Sequence, residues 1–348
     1  MLSYSIKATR APAPTANIRL RRGPKQEENH PMNKLLVICG PTAAGKTEYA
    51  LRLAEQWGVP ILNADSRQIY RDLPVGTAAP TADEQRRTKH YFVGTHSLNE
   101  TYNAGMFERD ALAVIRRLIA ERDTHQEVAQ SSERPIAILS GGSMLYIEAV
   151  CKGLDNIPSV PEDIRREVQQ LYAKQGLEAL QQAVQAADPD YWQEVDRQNP
   201  QRLMHCLEVC RTTGGTYSAL RKQSAISNQQ SAVSGQQSAI RPFVVERQVI
   251  TRPREELYER INARVLKMIE QGLVDEADRA FRLTIGDNYR SMTFDQAFAL
   301  LPNSLRTVGY QELLPYMFGQ CTLYEAVTQI QTNTRHYAKR QMTWWRNR

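Results

Sequence analysis

A phosphate-binding pattern lies near the start of the chain, at residues 40–47. The segment fits GxxxxGK[ST], follows an apolar run and opens an amphipathic stretch. Glycines let backbone N–H groups approach a phosphate, and the start of a helix adds a favourable dipole. Lys46 supplies a point charge, and Thr47 a hydroxyl suited to Mg²⁺. We therefore predict a phosphate or diphosphate site made by Gly40, Pro41, Thr42, Ala43, Ala44, Gly45, Lys46 and Thr47.

A carboxylate, Asp65, follows the next apolar run, Val59–Asn63. Right-handed βαβ connections bring the carboxyl ends of successive parallel strands to one sheet edge, so Asp65 is expected beside the phosphate loop. There it could bind Mg²⁺, act as a general base, or cap a helix through the segment Asp65–Gln68, and the residue types alone leave these roles open.

The sequence shows no obvious Walker-B aspartate, which ATPases and GTPases use to hold their metal. The run Ile136–Leu139 continues instead into Ser140–Ser143, a turn that offers amides and hydroxyls but no carboxylate. The phosphate compound at the loop therefore need not be a nucleoside triphosphate.

Short apolar runs that alternate with amphipathic stretches predict the elements around these residues, as in βαβ units. The fold class is α/β: a P-loop NTPase-like parallel sheet flanked by helices, with an inserted all-helical domain. Strands are predicted at Leu35–Cys39, Val59–Asn63, His90–Val93, Pro135–Leu139 and Phe243–Ile250. Helices are predicted at Lys46–Trp57, Ala104–Leu118, Arg254–Gln271 and Tyr324–Trp345.

The same pattern divides the chain. Residues 1–33 are basic, contain Pro12 and Pro14, and are predicted to be a disordered extension; Met32 as the true start and a transit peptide are alternatives. Residues 34–156 form the first part of the core and 157–222 a helical insertion, with Pro189 and Pro200 near helix starts. A low-complexity loop at 223–241 follows, and 242–348 complete the core with C-terminal helices.

The composition indicates the class of partner and the cellular compartment. A net charge of +6 and a pI near 9.0 are compatible with a polyanionic partner. The 5 cysteines form no CxxC pair, which argues against a disulfide framework and a zinc cluster and favours a reducing cytoplasm. For Cys206 and Cys210, and for His205 and His336, packing is favoured over metal binding. No apolar run reaches the about 18 residues that span a bilayer, so no membrane association is expected.

The C-terminal segment is basic and aromatic. Arg335, Lys339 and Arg346 fall on one stripe of a helix, and the last acidic residue of the chain is Glu325. Tyr337 and the pair Trp344–Trp345 could stack on bases or pack inward. Such a helix is compatible with RNA binding.

Segments distributed over residues 34–346 resemble one family. These are, in order, GPTAAGKT (40–47), NADSRQIYRDLPVGTAAP (63–80), YNAGMFERDA (102–111), SGGSMLY (140–146), NPQRLMHCLEVCRTTG (199–214), RTVGYQELL (306–314) and TRHYAKRQMTWWR (334–346). Together they resemble the bacterial tRNA dimethylallyltransferases, also called tRNA isopentenyltransferases. The resemblance implies transfer of a dimethylallyl group from its diphosphate to N6 of adenosine 37, beside the anticodon, in tRNAs that read codons starting with U.

The resemblance also implies residue roles. Asp65 matches the general base, Ser143 stands where the family usually has threonine, and the phosphate loop with Mg²⁺ on Thr47 would hold the leaving diphosphate. A serine keeps the hydroxyl but loses the methyl group that restricts its rotamers, so somewhat looser positioning is expected. The implied tRNA contacts are Asp65, Ser66, Arg67, Gln68, Arg165, Gln201, Arg202, Leu203, Met204, His205, Arg306, Thr307, Val308, Gly309, Tyr310, Gln311, Lys339, Arg340, Gln341, Trp344 and Arg346.

Two departures from the family pattern are Tyr91, where a second histidine is common, and Gln311, where an arginine would offer a phosphate contact. The implied partners are dimethylallyl diphosphate and the tRNA anticodon stem-loop, bound by a monomer. Two other readings of the residues are a P-loop small-molecule or nucleotide kinase and a non-enzymatic RNA-binding P-loop protein. The kinase predicts ATP turnover, and the RNA-binding protein predicts RNA binding without prenyl transfer.

Overall fold

The structure, a computed structural model, describes residues 17–21, 33–124, 134–154, 158, 160–221 and 241–346. It divides into two compact units, one from Met1–Cys151 with Pro242–Arg348 and the other from Lys152–Arg241. The predicted low-complexity loop lies, except for its last residue, outside the described residues. None of the helices within these ranges is long and apolar enough to cross a membrane.

A six-stranded sheet organises the larger unit. Its strands are β1 (Asn17–Arg21), β2 (Lys34–Cys39), β3 (Ile61–Asn63), β4 (His90–Tyr91), β5 (Ala137–Ser140) and β6 (Val244–Thr251). The order across the sheet is β1-β6-β2-β5-β3-β4, and all neighbours are parallel except β1 and β6. The predicted class, a parallel α/β sheet flanked by helices, is confirmed.

Helices cover the sheet and extend from it. They are α1 (Lys46–Trp57), α2 (Ala82–Arg87), α3 (Ala104–Thr124), α4 (Met144–Lys152), α8 (Arg254–Glu270), α9 (Leu273–Ile285), α10 (Phe294–Leu300), α11 (Leu313–Met317) and α12 (Leu323–Arg346). The core between sheet and helices contains Ile38, Leu51, Ile138, Ile261 and Ala338, all fully buried. Strands β2 and β5 are buried almost throughout, as expected for the centre of a parallel sheet.

The smaller unit contains α5 (Glu162–Ala187), α6 (Pro189–Glu194) and α7 (Pro200–Thr213). Pro189 and Pro200 occupy first-turn positions of α6 and α7, as predicted, and the Asp188 and Asn199 side chains cap these helices. Helix α5 is interrupted at Gly176, where φ is 74°. Its core is formed by Leu180, Val184, Leu203, Cys206 and Leu207.

The prediction that residues 1–33 are disordered is wrong at Asn17–Arg21. These residues form β1, an antiparallel edge strand whose register pairs Asn17 with Thr251 and Arg21 with Arg247. The physical reason is that the β6 edge offers unpaired N–H and C=O groups, and a segment of alternating polar and apolar residues can pair with them. The surrounding proline and arginine residues outweighed that short alternation in the sequence.

Candidate active site

The phosphate loop joins β2 to α1 and is surrounded by cations. The Lys46 Nζ donates to the Pro41 carbonyl at 2.8 Å, the Arg260 Nε to the Ala43 carbonyl at 2.8 Å, and the Arg252 Nε to the Ala44 carbonyl at 2.8 Å. At Gly40, with φ of 145°, an added Cβ would lie 2.2 Å from the Ile250 carbonyl oxygen, so only glycine lets the loop approach β6. The loop is thus held by positive charges before any ligand arrives.

Lys46 is electrostatically unusual. Burial, and then the nearby charge of Arg264, lower its pKa to about 8, whereas Asp65 and Cys39 act in the opposite direction. A charge that is costly to keep in the free protein gains the most when an anion arrives beside it. An anion that binds beside Lys46 would therefore relieve this cost.

Arg264 projects from α8 to the same place. Its guanidinium donates to the Thr42 hydroxyl at 3.3 Å and to the Thr77 carbonyl at 3.4 Å. Burial lowers its pKa, and Asp65 partly offsets this effect. A partly buried guanidinium with long bonds to neutral oxygens retains donors for a bidentate contact with phosphate.

Asp65 follows β3, as the order of strands predicted. Its Oδ1 accepts bonds from the backbone N–H groups of Arg67 at 2.9 Å and Gln68 at 3.4 Å, so the carboxylate stabilises the turn at residues 66–69, where no helix begins. Its Oδ2 has no hydrogen-bond partner among the residues that the structure describes. One oxygen therefore fixes the carboxylate, and the other is left to accept a proton.

Ser143 connects the end of β5 to the Asp65 turn. Its hydroxyl accepts a bond from the Ser66 N–H at 2.8 Å and donates to the Ser66 hydroxyl at 3.1 Å, while its own N–H donates to the Ala64 carbonyl at 3.1 Å. These bonds fix the rotamer that a threonine methyl group would otherwise restrict. Ser143 and Asp65 thus belong to one hydrogen-bonded assembly.

Two cavities adjoin the phosphate loop. The first has a volume of about 350 Å³ and includes Thr42, Asp65, Ser143 and Arg264 in its lining. The second has a volume of about 430 Å³ and includes Lys46, Thr47 and Arg264. Arg264 lines both, and the phosphate loop contributes to each. A molecule in either cavity can therefore contact the same guanidinium.

The chain is similar to proteins of one known family. A family model described as IPP transferase matches residues 68–348. The chain is 41% identical to tRNA dimethylallyltransferase 1 of Bacteroides thetaiotaomicron over 315 residues, which cover 90% of this chain and 89% of that protein. The chain belongs to the IPP transferase family. The resemblance drawn from the motifs is confirmed, and so is the prediction of an enzyme of the prenyltransferase class.

Solved structures agree with this family assignment. The full-length tRNA isopentenylpyrophosphate transferase from Bacillus halodurans has a TM-score of 0.55 and 30% identity, covering 91% of this chain and 88% of that one. A eukaryotic dimethylallyltransferase acting on tRNA has a TM-score of 0.66 and 22% identity, covering 90% of this chain and 69% of that one. The second comparison shows likeness of fold.

The transferase structure brings many of the predicted site residues together. The lining of the first cavity contains, of those predicted, Thr42, Asp65, Ser66, Arg67, Ser143, Arg306, Thr307, Val308, Gly309, Gln311 and Arg340. The second contains Ala43, Gly45, Lys46 and Thr47. Gln68 lies beside the first cavity, where its side-chain amide donates to the Thr77 carbonyl at 2.9 Å and stabilises the adjoining loop.

Three predicted tRNA contacts are wrong, because their side chains are buried inside the protein. Leu203 is fully buried in the core of the smaller unit. Tyr310 is fully buried and its hydroxyl donates to Glu276 at 2.6 Å. Gln341 is fully buried and bonds to Thr42 and Gly142. Each belongs to a segment that also contains exposed residues, and the motif alone does not separate the two faces.

The smaller unit exposes a polar set from the same prediction. Arg165 on α5 and Gln201, Arg202 and His205 on α7 are exposed, whereas Met204 is only 7% exposed. Partial desolvation by neighbouring protein atoms, and then the nearby charge of Arg165, lower the pKa of His205, so the two side chains face a shared region. These four residues could meet an RNA backbone together.

The C-terminal helix has an exposed basic side and a buried aromatic end. Lys339, Arg340 and Arg346 are exposed, and Trp344 is half-buried. Trp345, which the sequence left open between stacking and packing, is only 4% exposed and lies under the Arg247 guanidinium. The inward position is therefore the observed one for Trp345.

Sequence reasoning missed the arginines of α8 and a buried glutamate of α9. Arg260 and Arg264 lie one turn apart, next to the buried positions Ile261 and Val265, a spacing that places both on one side of the helix but does not indicate what they contact. Glu276 is 1% exposed and accepts bonds from the N–H groups of Val75 and Gly76, each at 2.8 Å. It fixes the loop that borders the first cavity.

Cys206 and Cys210 come within 4.0 Å of each other, and the nearby Asp188 could complete a metal-ligand triplet. Both Asp188 oxygens are already used, however, by the N–H groups of Tyr191 and Ser218 and by the Ser218 hydroxyl. The geometry is that of a helix cap packed against two thiols.

Proposed function

We propose that this transferase moves a dimethylallyl group from dimethylallyl diphosphate to N6 of adenosine 37 in tRNAs that read codons starting with U. The observation that carries the proposal is the arrangement of two cavities around one phosphate loop, with Asp65 in the first, Lys46 in the second, and Arg264 in both. A two-substrate transfer needs an acceptor side and a leaving-group side that share a reacting centre.

The leaving-group side suits a diphosphate. The loop amides, Lys46 and Arg264 are donors placed where negative charge accumulates as the carbon–oxygen bond of the donor breaks. Stabilising that developing charge lowers the barrier more than binding the ground state does. The diphosphate would therefore span from Lys46 to Arg264.

The acceptor side suits an adenine base. A base that reacts must leave its stack, and a cavity of about 350 Å³ bordered by Arg67, Arg306 and Arg340 offers a recessed site with cations near it. Exposed phosphates of the anticodon stem-loop would contact these arginines and Lys339. The proposed tRNA contacts also include the exposed residues of the smaller unit.

The chemical step requires a base, since the exocyclic amine of adenine is a weak nucleophile. N6 attacks the first carbon of the dimethylallyl group, the bond from that carbon to the diphosphate oxygen breaks, and the bond electrons leave with the diphosphate. Asp65 Oδ2 takes the proton that N6 releases. Ser143 stabilises the turn that holds Asp65, and its hydroxyl lies beside the reacting groups.

Mg²⁺ fits the residues of the second cavity. The exposed Thr47 hydroxyl lines it, and Mg²⁺ commonly combines one protein oxygen with phosphate oxygens and water. When bound, the ion would neutralise part of the diphosphate charge. Lys46 and Thr47 are the residues that would orient the donor there.

The proposed enzyme acts as a monomer in the cytoplasm, where tRNA is abundant.

A transfer assay tests it. Labelled dimethylallyl diphosphate, Mg²⁺ and unmodified tRNA with adenosine at positions 36 to 38 are incubated with the protein and with its Asp65→Asn variant. We expect label in tRNA, and a loss of kcat of about 10²–10⁴ in the variant. Asp72→Asn, in the same loop but outside the cavity lining, is the control. Absence of label, or equal rates in the Asp65 variant, would overturn the proposal, and ATP turnover would favour the kinase instead.

A further inference from the structure

We infer that Gln341 is a positioning residue. It fixes the phosphate loop and the turn at residues 141–143 relative to one another across the end of the sheet. The inference rests on the proposed function for its catalytic meaning. Its structural basis is a buried side-chain amide in α12 that bonds to both loops at once.

The amide of Gln341 forms a bridge. Its Oε1 accepts the Thr42 N–H at 2.8 Å, and its Nε2 donates to the Gly142 carbonyl at 2.8 Å. Gln341 is fully buried, so water does not compete for these bonds. Thr42 belongs to the phosphate loop, and Gly142 immediately precedes Ser143.

The bridge lies where the sheet no longer connects these loops. Strands β2 and β5 are paired as far as Ile38 and Ser140, and one further backbone bond joins Gly141 to Ile38 at 3.4 Å. Beyond that point, the Gln341 amide supplies both an acceptor and a donor between the two backbone segments, one at Thr42 and one at Gly142. It takes the place of a ladder bond that the diverging backbones cannot form.

Few other side chains could do this. The bridge requires one acceptor and one donor on a single planar group, and glutamine presents both. Glutamate lacks the donor when ionised, and methionine offers neither. Gly142 is matched to it, because a Cβ there would lie 2.8 Å from the Gln341 Nε2. Tyr337, one turn earlier on α12, adds a second donor to the same carbonyl at 3.2 Å.

Both bonded groups are adjacent to the chemistry. The Thr42 hydroxyl accepts from Arg264, and Ser143 bonds to the turn that holds Asp65. A shift of either loop would therefore change the distance between the leaving group and the base. A displacement of about 1 Å in such a site can reduce the rate about 100-fold.

The test replaces Gln341 with methionine, which keeps the length and removes the donor and the acceptor. Gln331→Met is the matched control: Gln331 lies on the same helix and bonds to the Asn262 carbonyl at 3.4 Å, away from both loops. We expect faster hydrogen exchange at the Thr42 amide, inorganic diphosphate bound about 10-fold more weakly, and kcat lowered by about 10- to 100-fold in Gln341→Met. The KM for tRNA should stay within about 2-fold, and Gln331→Met should match the unaltered protein in every measurement.

The outcomes distinguish a positioning role of Gln341 from a merely structural role and from a failure of the proposed function. Unchanged Thr42 exchange and unchanged kcat in Gln341→Met would overturn the inference, as would equal losses in Gln331→Met or a tRNA KM that rises as much as the diphosphate affinity falls. If Gln341→Met does not fold, Tyr337→Phe removes the weaker bond to Gly142, and a kcat equal to that of the unaltered protein would then count against the bridge. If the unaltered protein transfers no label, the proposed function fails, while Thr42 exchange and diphosphate binding still decide the role of Gln341.

Discussion

Lys46 titrates in a range that a binding experiment can reach. Its ordinary pKa of 10.5 is lowered to about 8, chiefly by burial. Between these two values the folded protein binds fewer protons than the unfolded chain, so raising the pH through this window relieves a cost and stabilises the fold. A bound diphosphate reverses the effect, because the anion favours the charged amine.

We therefore expect the affinity for dimethylallyl diphosphate to fall as the pH rises above about 8, by up to about tenfold per pH unit. Isothermal titration at several pH values measures it. Lys46→Arg, which stays charged throughout, should lack this dependence. Any pH dependence that remains in the variant then comes from titration of the ligand. An affinity that stays constant from pH 7 to 9.5 in the unaltered protein would contradict the assigned role of Lys46.

Arg264 should act on the donor more than on the tRNA. In Arg264→Gln the donor loses a charge-assisted bond worth about 1.5–3 kcal/mol, so kcat/KM for dimethylallyl diphosphate should fall by about 10- to 100-fold. Steady-state kinetics with each substrate varied in turn measures the split. The exposed Arg279→Gln on α9 is the control, and a loss confined to the KM for tRNA would show that Arg264 is misassigned.

At the scale of elements, a helix can be located accurately from the sequence while the faces of that helix are misinterpreted. The sequence predicts α12 to within one residue at each end. Its motif, however, makes every polar residue resemble an RNA contact. The buried positions Ile330, Ala338, Gln341 and Trp345 recur at helical spacing, so periodicity places Gln341 on the inner face. A motif match does not distinguish faces, whereas a helical projection does.

Some residues of the site are predictable from the adjacent sequence, and others are not. The phosphate loop was predictable, because its spacing, preceding strand and following helix are local. The contribution of Arg252, which follows β6, and of Arg260 and Arg264 on α8 was not, because these residues meet the loop across more than 200 residues of chain. Such contacts depend on how α8 packs on the sheet, and no local pattern in the sequence encodes that packing.

The exposed side of α12 should set the salt dependence of tRNA binding. Arg340→Ala should weaken binding and reduce the slope of log affinity against log salt by about 0.7–0.9, the value for one phosphate contact. Filter binding at several salt concentrations measures it. Arg116→Ala, exposed on α3, should leave the slope unchanged. An unaltered slope in Arg340→Ala would remove that residue from the RNA contacts.

Strand β1 should protect the edge of the sheet. A chain that begins at Met32 lacks β1, and those amides among residues 247–251 that point towards β1 should then exchange faster. The midpoint of thermal unfolding should fall by about 2–4 °C for each kcal/mol lost. A chain that begins at Ala16 keeps β1 and is the control. Equal exchange in both truncated chains would contradict the pairing.

At the scale of the whole molecule, cations lie on both sides of the candidate site. Lys46, Arg252, Arg260 and Arg264 surround the phosphate loop, and Arg67, Arg306 and Arg340 border the cavity of Asp65. Cations thus face both a diphosphate and an RNA backbone. A single phosphate loop can serve this reaction because the group it stabilises is the one that departs.

The most direct test is to digest the tRNA after reaction and to locate the modified nucleoside by mass spectrometry. With tRNA that has adenosine at positions 36 to 38, we predict N6-(dimethylallyl)adenosine at position 37 in amounts equal to the diphosphate released. A tRNA with guanosine at position 37 should remain unmodified. Diphosphate release without a modified nucleoside, or modification at another position, would contradict the account.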